Sequence, residues 1–177
     1  MRRRCWSAAV ALPDARVFVL GGCVKSRELS SVEMCQLREP ADWEGQEQYQ
    51  ASDGFWTFAA PMLSGRDNHA AIAFRDCLFV AGGTDGRTLN LDSVDVFYPP
   101  DDRTPFGQWT RLANQNLTWH DVSLVVWQDR LFAFGKSPET VNKVYHMILH
   151  ILARSLLMSP LECFFFSLKV RVRGKRW

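Results

Sequence analysis

Three stretches of the chain share one arrangement of apolar and polar positions. Residues 4–22 (RCWSAAVALPDARVFVLGG), 65–83 (GRDNHAAIAFRDCLFVAGG) and 118–136 (TWHDVSLVVWQDRLFAFGK) align without gaps. Each begins with a strand-length block of small and apolar residues, turns at a polar tip, and continues into a second apolar block that ends in glycine. The tips are Pro13-Asp14-Ala15, Arg75-Asp76 and Gln128-Asp129, each carrying an aspartate suited to a tight turn. The second blocks, 17–20, 78–81 and 131–134, are continuous apolar runs, which predicts strands covered on both faces. Gly21-Gly22 and Gly82-Gly83 close the first two, and Gly135 followed by Lys136 closes the third. A glycine pair at a strand end marks positive φ or a close backbone approach.

Beyond each glycine pair a polar loop of about ten residues leads to another predicted strand, 31–35 in the first unit and 93–97 in the second. A tryptophan follows in both, Trp56 and Trp109. In the third unit residues 141–145, ending in Tyr145, occupy the strand position, and no tryptophan follows at the matching distance. The glycines recur after 61 and then 53 residues. Four short strands, a glycine pair and a tryptophan at this period form one repeating unit, present about three times.

This combination resembles the kelch repeat over residues 4–145, most closely the propellers of kelch-like (BTB–kelch) proteins, with units of about 4–60, 61–115 and 116–145. Cys35 stands where that family usually has tyrosine, Phe97 keeps only the ring, and Lys136 replaces the second glycine of the third unit. The resemblance implies an all-β fold, a kelch β-propeller fragment of about three four-stranded antiparallel blades. Three blades are fewer than the four to eight that close a propeller. Gly21, Gly22, Gly82, Gly83, Gly135, Phe97, Tyr145, Trp56 and Trp109 are then structural motif residues. The two tryptophans read as packing between strands or blades before they read as platforms for a sugar or base.

Residues 146–177 do not continue the repeat. The apolar spacing of 147–149, 151–152 and 156–158 predicts a helix up to Pro160, followed by a strand over 163–172, so the tail is expected to be part helical. His150, Arg154, Pro160 and Glu162 interrupt it too often for a membrane span. His146 and His150 have the i, i+4 spacing of a helical metal pair but lack the glutamate and third ligand of a zinc site.

The formal charge of +2 averages unlike parts: about +5 over residues 146–177, +3 from Arg2, Arg3 and Arg4, and about −6 between them. That balance argues against a surface built for nucleic acid, and the basic stretch 169–176 reads first as a solvated tail, second as a nuclear-import or nucleic-acid patch. Cys5, Cys23, Cys35, Cys77 and Cys163 are odd in number and without CxxC spacing, as in proteins whose thiols stay reduced. Arg2–Arg4 followed by an apolar run has the outline of a signal peptide, but the first repeat unit accounts for the same residues. The sequon at Asn116 matters only in a secreted chain. The expected location is the cytoplasm, or the nucleus if the basic tail is read as an import signal.

Nothing catalytic is legible. Asp67, Asn68 and His69 are adjacent but are expected to begin a strand, which sends successive side chains to opposite faces, and His120 with Asp121 are placed alike. No cofactor or metal site is expected. The kelch resemblance implies a protein-interaction module with a protein partner, without nucleic acid or membrane. In kelch-like proteins a propeller of about six blades reads the substrate while BTB and BACK domains dimerise and recruit a cullin-type ubiquitin ligase; other kelch proteins bind actin. The first unit begins at Arg4, so a ligase role requires a BTB domain supplied elsewhere. Copper oxidases built on kelch propellers form the competing enzymatic class, and a truncated chain with no function of its own is a third reading. Candidate partner contacts are Arg66, Arg87 beside Gly86, and Trp43 and Tyr49 in the acidic insertion 39–53, which also reads as a plain solvated loop.

Overall fold

A computed structural model of the chain describes residues 3–37, 55–86, 90–114, 120–136 and 144–149. All regular structure among them is β. β1 (Ala8–Ala11), β2 (Arg16–Leu20), β5 (Val32–Gln36) and β6 (Thr57–Ala59) form an antiparallel sheet in the order β1-β2-β5-β6. β3 (Cys23–Val24) and β4 (Arg27–Glu28) make a small hairpin within the loop between β2 and β5. The second sheet contains β7 (Ala70–Phe74), β8 (Cys77–Ala81), β9 (Ser93–Tyr98) and β10 (Gln108–Asn114), again ordered as an up-and-down meander. The third has β11 (His120–Trp127), β12 (Arg130–Lys136) and β13 (Val144–Leu149). These are the blades expected from the repeat, the third with three strands among the described residues rather than four.

The continuous apolar runs do cover both faces. In β8, Leu78 and Val80 pack toward the first sheet with Phe18, Leu20, Val32 and Met62, while Phe79 and Ala81 pack toward Leu131 and Ala133 of the third. Phe97 of β9 follows the first pair, Val94 and Val96 the second. The two-residue strand period divides one blade between two cores, and each fully buried Leu or Val contributes about 1.5–3 kcal/mol. On the far side of the third sheet Val125, Trp127 and Phe134 remain exposed.

The turns behave as their residues require. Arg75 and Asp76 (φ 50° and 58°) and Gln128 and Asp129 (φ 47° and 57°) place both central residues in the left-handed region that a two-residue hairpin needs. The first hairpin differs. Ala11 pairs with Val17 and leaves five residues between them, whereas Ala73 pairs with Leu78 and leaves four. The gapless alignment of the first two units is therefore corrected by one position: ahead of the turn, Arg4 corresponds to Arg66, not to Gly65.

The third unit needs a larger correction. Leu131 of β12 pairs with Leu149, as Val17 pairs with Cys35 and Leu78 with Phe97. Leu149 thus occupies the aromatic motif position, while Tyr145 lies opposite Gly135. Residues 146–149, expected to lie outside the repeat with a helix starting at 147, belong to β13. A four-residue apolar run does not distinguish helix from strand, and the free edge of β12 decided the outcome. His146 is consequently a strand residue, which removes the helical spacing from the His146–His150 pair; the rest of the tail lies outside the described residues. Among the described residues, no helix is long and apolar enough to cross a membrane.

Candidate functional site

The glycine ends of β2 and β8, the β3–β4 hairpin and the linker from β6 to β7 all lie at one end of the first two blades. Gly22 (φ 86°) makes this crowding possible: a Cβ there would lie 2.5 Å from the carbonyl oxygen of Cys5. Gly83 (φ 89°) plays the same part against the carbonyl of Asp67. The Gly22 amide donates to the Arg66 carbonyl at 2.8 Å, which ties the linker to the first blade.

Arg66, expected as an exposed partner contact, is fully buried. Its guanidinium donates to the Gly82 carbonyl (3.1 Å), the Ser93 hydroxyl (3.0 Å) and Asp95 Oδ2 (2.6 Å). Burial lowers its pKa and the Asp95 charge opposes that shift. Arg4 repeats the arrangement in the first blade, donating to the carbonyls of Gly21 (2.9 Å) and Ser31 (3.1 Å) and pairing with the buried Glu33. A buried pair of this kind is costly to break because it strands a charge, so Arg66 holds the blade together rather than meeting solvent.

Asp95 has a second partner. Arg111, its neighbour across β10, donates from Nε to Asp95 Oδ1 at 2.9 Å and from a terminal nitrogen to the Ser64 hydroxyl at 3.3 Å. Hydrogen bonding to Asp95 raises the Arg111 pKa, and its side chain is 39% exposed. In the first blade Phe58 occupies the matching register position beside Glu33.

Ser64 lies on an open groove of about 710 Å³ between the two blades, lined by Ser26, Arg27 and Glu28 of the small hairpin, Leu63 and Gly65 of the linker, and Asp85 beyond Gly83. Leu63 is 51% exposed, an apolar anchor among charged rims of both signs. A volume of this size accommodates a few side chains of a partner segment. No sequence motif marks Ser26, Arg27, Glu28, Leu63, Ser64 or Asp85, although Ser26 falls in a turn and Leu63 and Ser64 fall in the Pro61–Gly65 linker.

The remaining candidates divide. Arg87, Trp43 and Tyr49 lie outside the described residues. Trp109 is buried on Phe97, its register partner in the same sheet, with ring centroids 4.8 Å apart. Trp56, half-buried, meets Phe55 edge-on at 5.8 Å just before β6. Asp67, Asn68 and His69 precede β7 instead of beginning it. Asn68 is left-handed (φ 50°) and exposed, while Asp67 and His69 are buried on either side of it. His120 and Asp121 do begin β11. Neither His69 ring nitrogen has a hydrogen-bond partner among the described residues, and burial, aided by the Arg66 charge, lowers its pKa to about 3. Among the described residues no group of three or more His, Cys, Asp or Glu is placed to hold a metal ion.

Residues 65–116 match the family profile of the kelch motif. That span runs from the linker glycine through the whole second sheet, so the four-stranded meander just described is a kelch-repeat segment, the unit of a kind of module that generally mediates protein–protein binding. No curated protein matches the chain.

Proposed function

We propose that the chain acts as a kelch-type protein-interaction module whose partner is read in the groove at the glycine end of the first two blades. The observation that carries this reading is the groove itself, lined by exposed Leu63 together with Arg27, Glu28 and Asp85. Apolar contact with Leu63 supplies affinity, and mixed charge supplies register. The kelch resemblance favours a finer role as the substrate-reading part of a cullin-type ubiquitin-ligase adaptor in the cytoplasm. Actin binding is the alternative that the same resemblance carries.

A photocrosslinking residue placed at Leu63 tests the site. A discrete protein captured from Leu63 but not from the equally exposed Trp127 is the expected result, and its identity separates an adaptor substrate from actin. Equal capture at both positions, or none at Leu63, overturns the assignment. Stoichiometric copper in the purified chain would replace a binding module with an oxidase.

A further inference from the structure

The geometry points to Cys5 and Cys23 as a peroxide-oxidisable dithiol that closes into a disulfide within the first blade. The two residues form an antiparallel bridge, with the Cys5 amide donating to the Cys23 carbonyl at 3.0 Å and the Cys23 amide to the Cys5 carbonyl at 2.8 Å. Their sulfurs lie 3.2 Å apart as free thiols. The matching backbone bridge in the second blade joins Asp67 to Thr84, whose hydroxyl donates to the Asp67 carboxylate. The first blade therefore places two nucleophilic sulfurs where its sister has an ordinary polar contact.

The surroundings give the thiols different roles. Cys5 is exposed and Cys23 buried, so an oxidant reaches Cys5 first. The Cys5 thiolate attacks one peroxide oxygen, forming a sulfenic acid and releasing water after protonation. Cys23 sulfur then displaces the hydroxyl from Cys5 sulfur, and its proton leaves in a second water; two thiols and one hydrogen peroxide give one disulfide and two waters. The Cys5 hydrogen bond and burial push the Cys23 thiol up to about 11, consistent with its acting second.

A directly hydrogen-bonded antiparallel pair has Cα atoms about 5.5 Å apart, within disulfide reach, but holds the Cβ atoms wider than a relaxed disulfide prefers. Such a bond is strained and easily reduced, which suits a reversible device better than a permanent staple. Closing it clamps the segment that carries Arg4 into its ion pair with Glu33 and presents the Trp6 carbonyl to the Asn68 amide (3.1 Å) of the next blade.

Trypsin separates the two cysteines into peptides 5–16 and 17–25. The reduced full chain, treated with hydrogen peroxide and digested without reductant, is expected to yield these peptides joined, lighter by two hydrogens and separable by dithiothreitol. In the folded chain this link forms about tenfold faster than any pairing with Cys35, Cys77 or Cys163, and urea abolishes the preference. A Cys23→Ser variant leaves Cys5 as a sulfenic acid that dimedone traps; if that variant does not fold, the wild-type digest remains decisive. Over-oxidation of Cys5 without the link, links spread over the other cysteines, or links only between two copies of the chain would each overturn the inference.

Discussion

The indole Nε1–H of Trp109, in the last strand of the second blade, donates to the carbonyl of Ala60 in the linker leaving the first, at 2.8 Å. One side chain thereby fills the core between two blades and fixes their relative position. Trp109→Phe keeps the ring on Phe97 but leaves the part-buried Ala60 carbonyl without this donor, at a cost of about 1–2 kcal/mol. Trp109→Ala also opens a cavity and costs about 3–5 kcal/mol. Urea denaturation of both variants checks the order, and equal losses would mean that the hydrogen bond, not the packing, carries the whole effect.

Two arginine–aspartate pairs separate burial from proximity. Asp95→Asn removes the charge that the fully buried Arg66 faces and is expected to cost about 3–5 kcal/mol. Arg75→Ala breaks the exposed pair with Asp129 that links the turns of the second and third blades, and should cost less than about 1 kcal/mol. Denaturation midpoints decide, and a larger loss from Arg75→Ala would refute the assigned roles.

His69 makes stability depend on pH. Its folded pKa of about 3 lies below its ordinary 6.5. The unfolded chain therefore binds a proton that the folded chain refuses, and the stabilising contribution is complete above pH 6.5. It is lost as pH falls from 6.5 toward 3. The slope approaches about 1.4 kcal/mol per pH unit. Denaturant midpoints of the wild type should fall across that window relative to those of His69→Gln. Parallel curves would show that His69 is protonated in the fold.

Gly83 and Gly65 differ in what a methyl group would meet. At Gly83 it would strike the Asp67 carbonyl from a left-handed backbone, so Gly83→Ala should cost about 2 kcal/mol or more. At Gly65 the nearest atom is the Glu28 carbonyl oxygen, 3.1 Å away, and a small shift relieves it. Thermal unfolding followed by circular dichroism should rank Gly83→Ala well below Gly65→Ala.

The blades were legible because strand and hairpin chemistry are local. The apolar run 78–81 needs two covered faces, and Arg75-Asp76 needs a tight turn, whatever surrounds them. The candidate site was less legible because it depends on register. An arginine next to a turn reads as solvated, and only the extra residue in the first hairpin brings Arg4 level with Arg66. With that correction a signal does appear in the sequence: Arg4 to Glu33 and Arg66 to Asp95 have the same separation. The third unit has Trp119 and Met147 at these positions and thus no such pair to announce itself. The Cys5–Cys23 bridge was hidden for a similar reason, since pairing across a hairpin leaves no short motif behind.

Asp95 is shared by one arginine that cannot leave and one that can. Its single negative charge already balances Arg66 inside the blade, which makes the positive charge of Arg111 surplus to the fold. A partner carboxylate entering the groove near Ser64 can borrow that guanidinium without stranding a charge behind it. The blade can thus lend a cation to a visitor while its own electrostatic account stays settled.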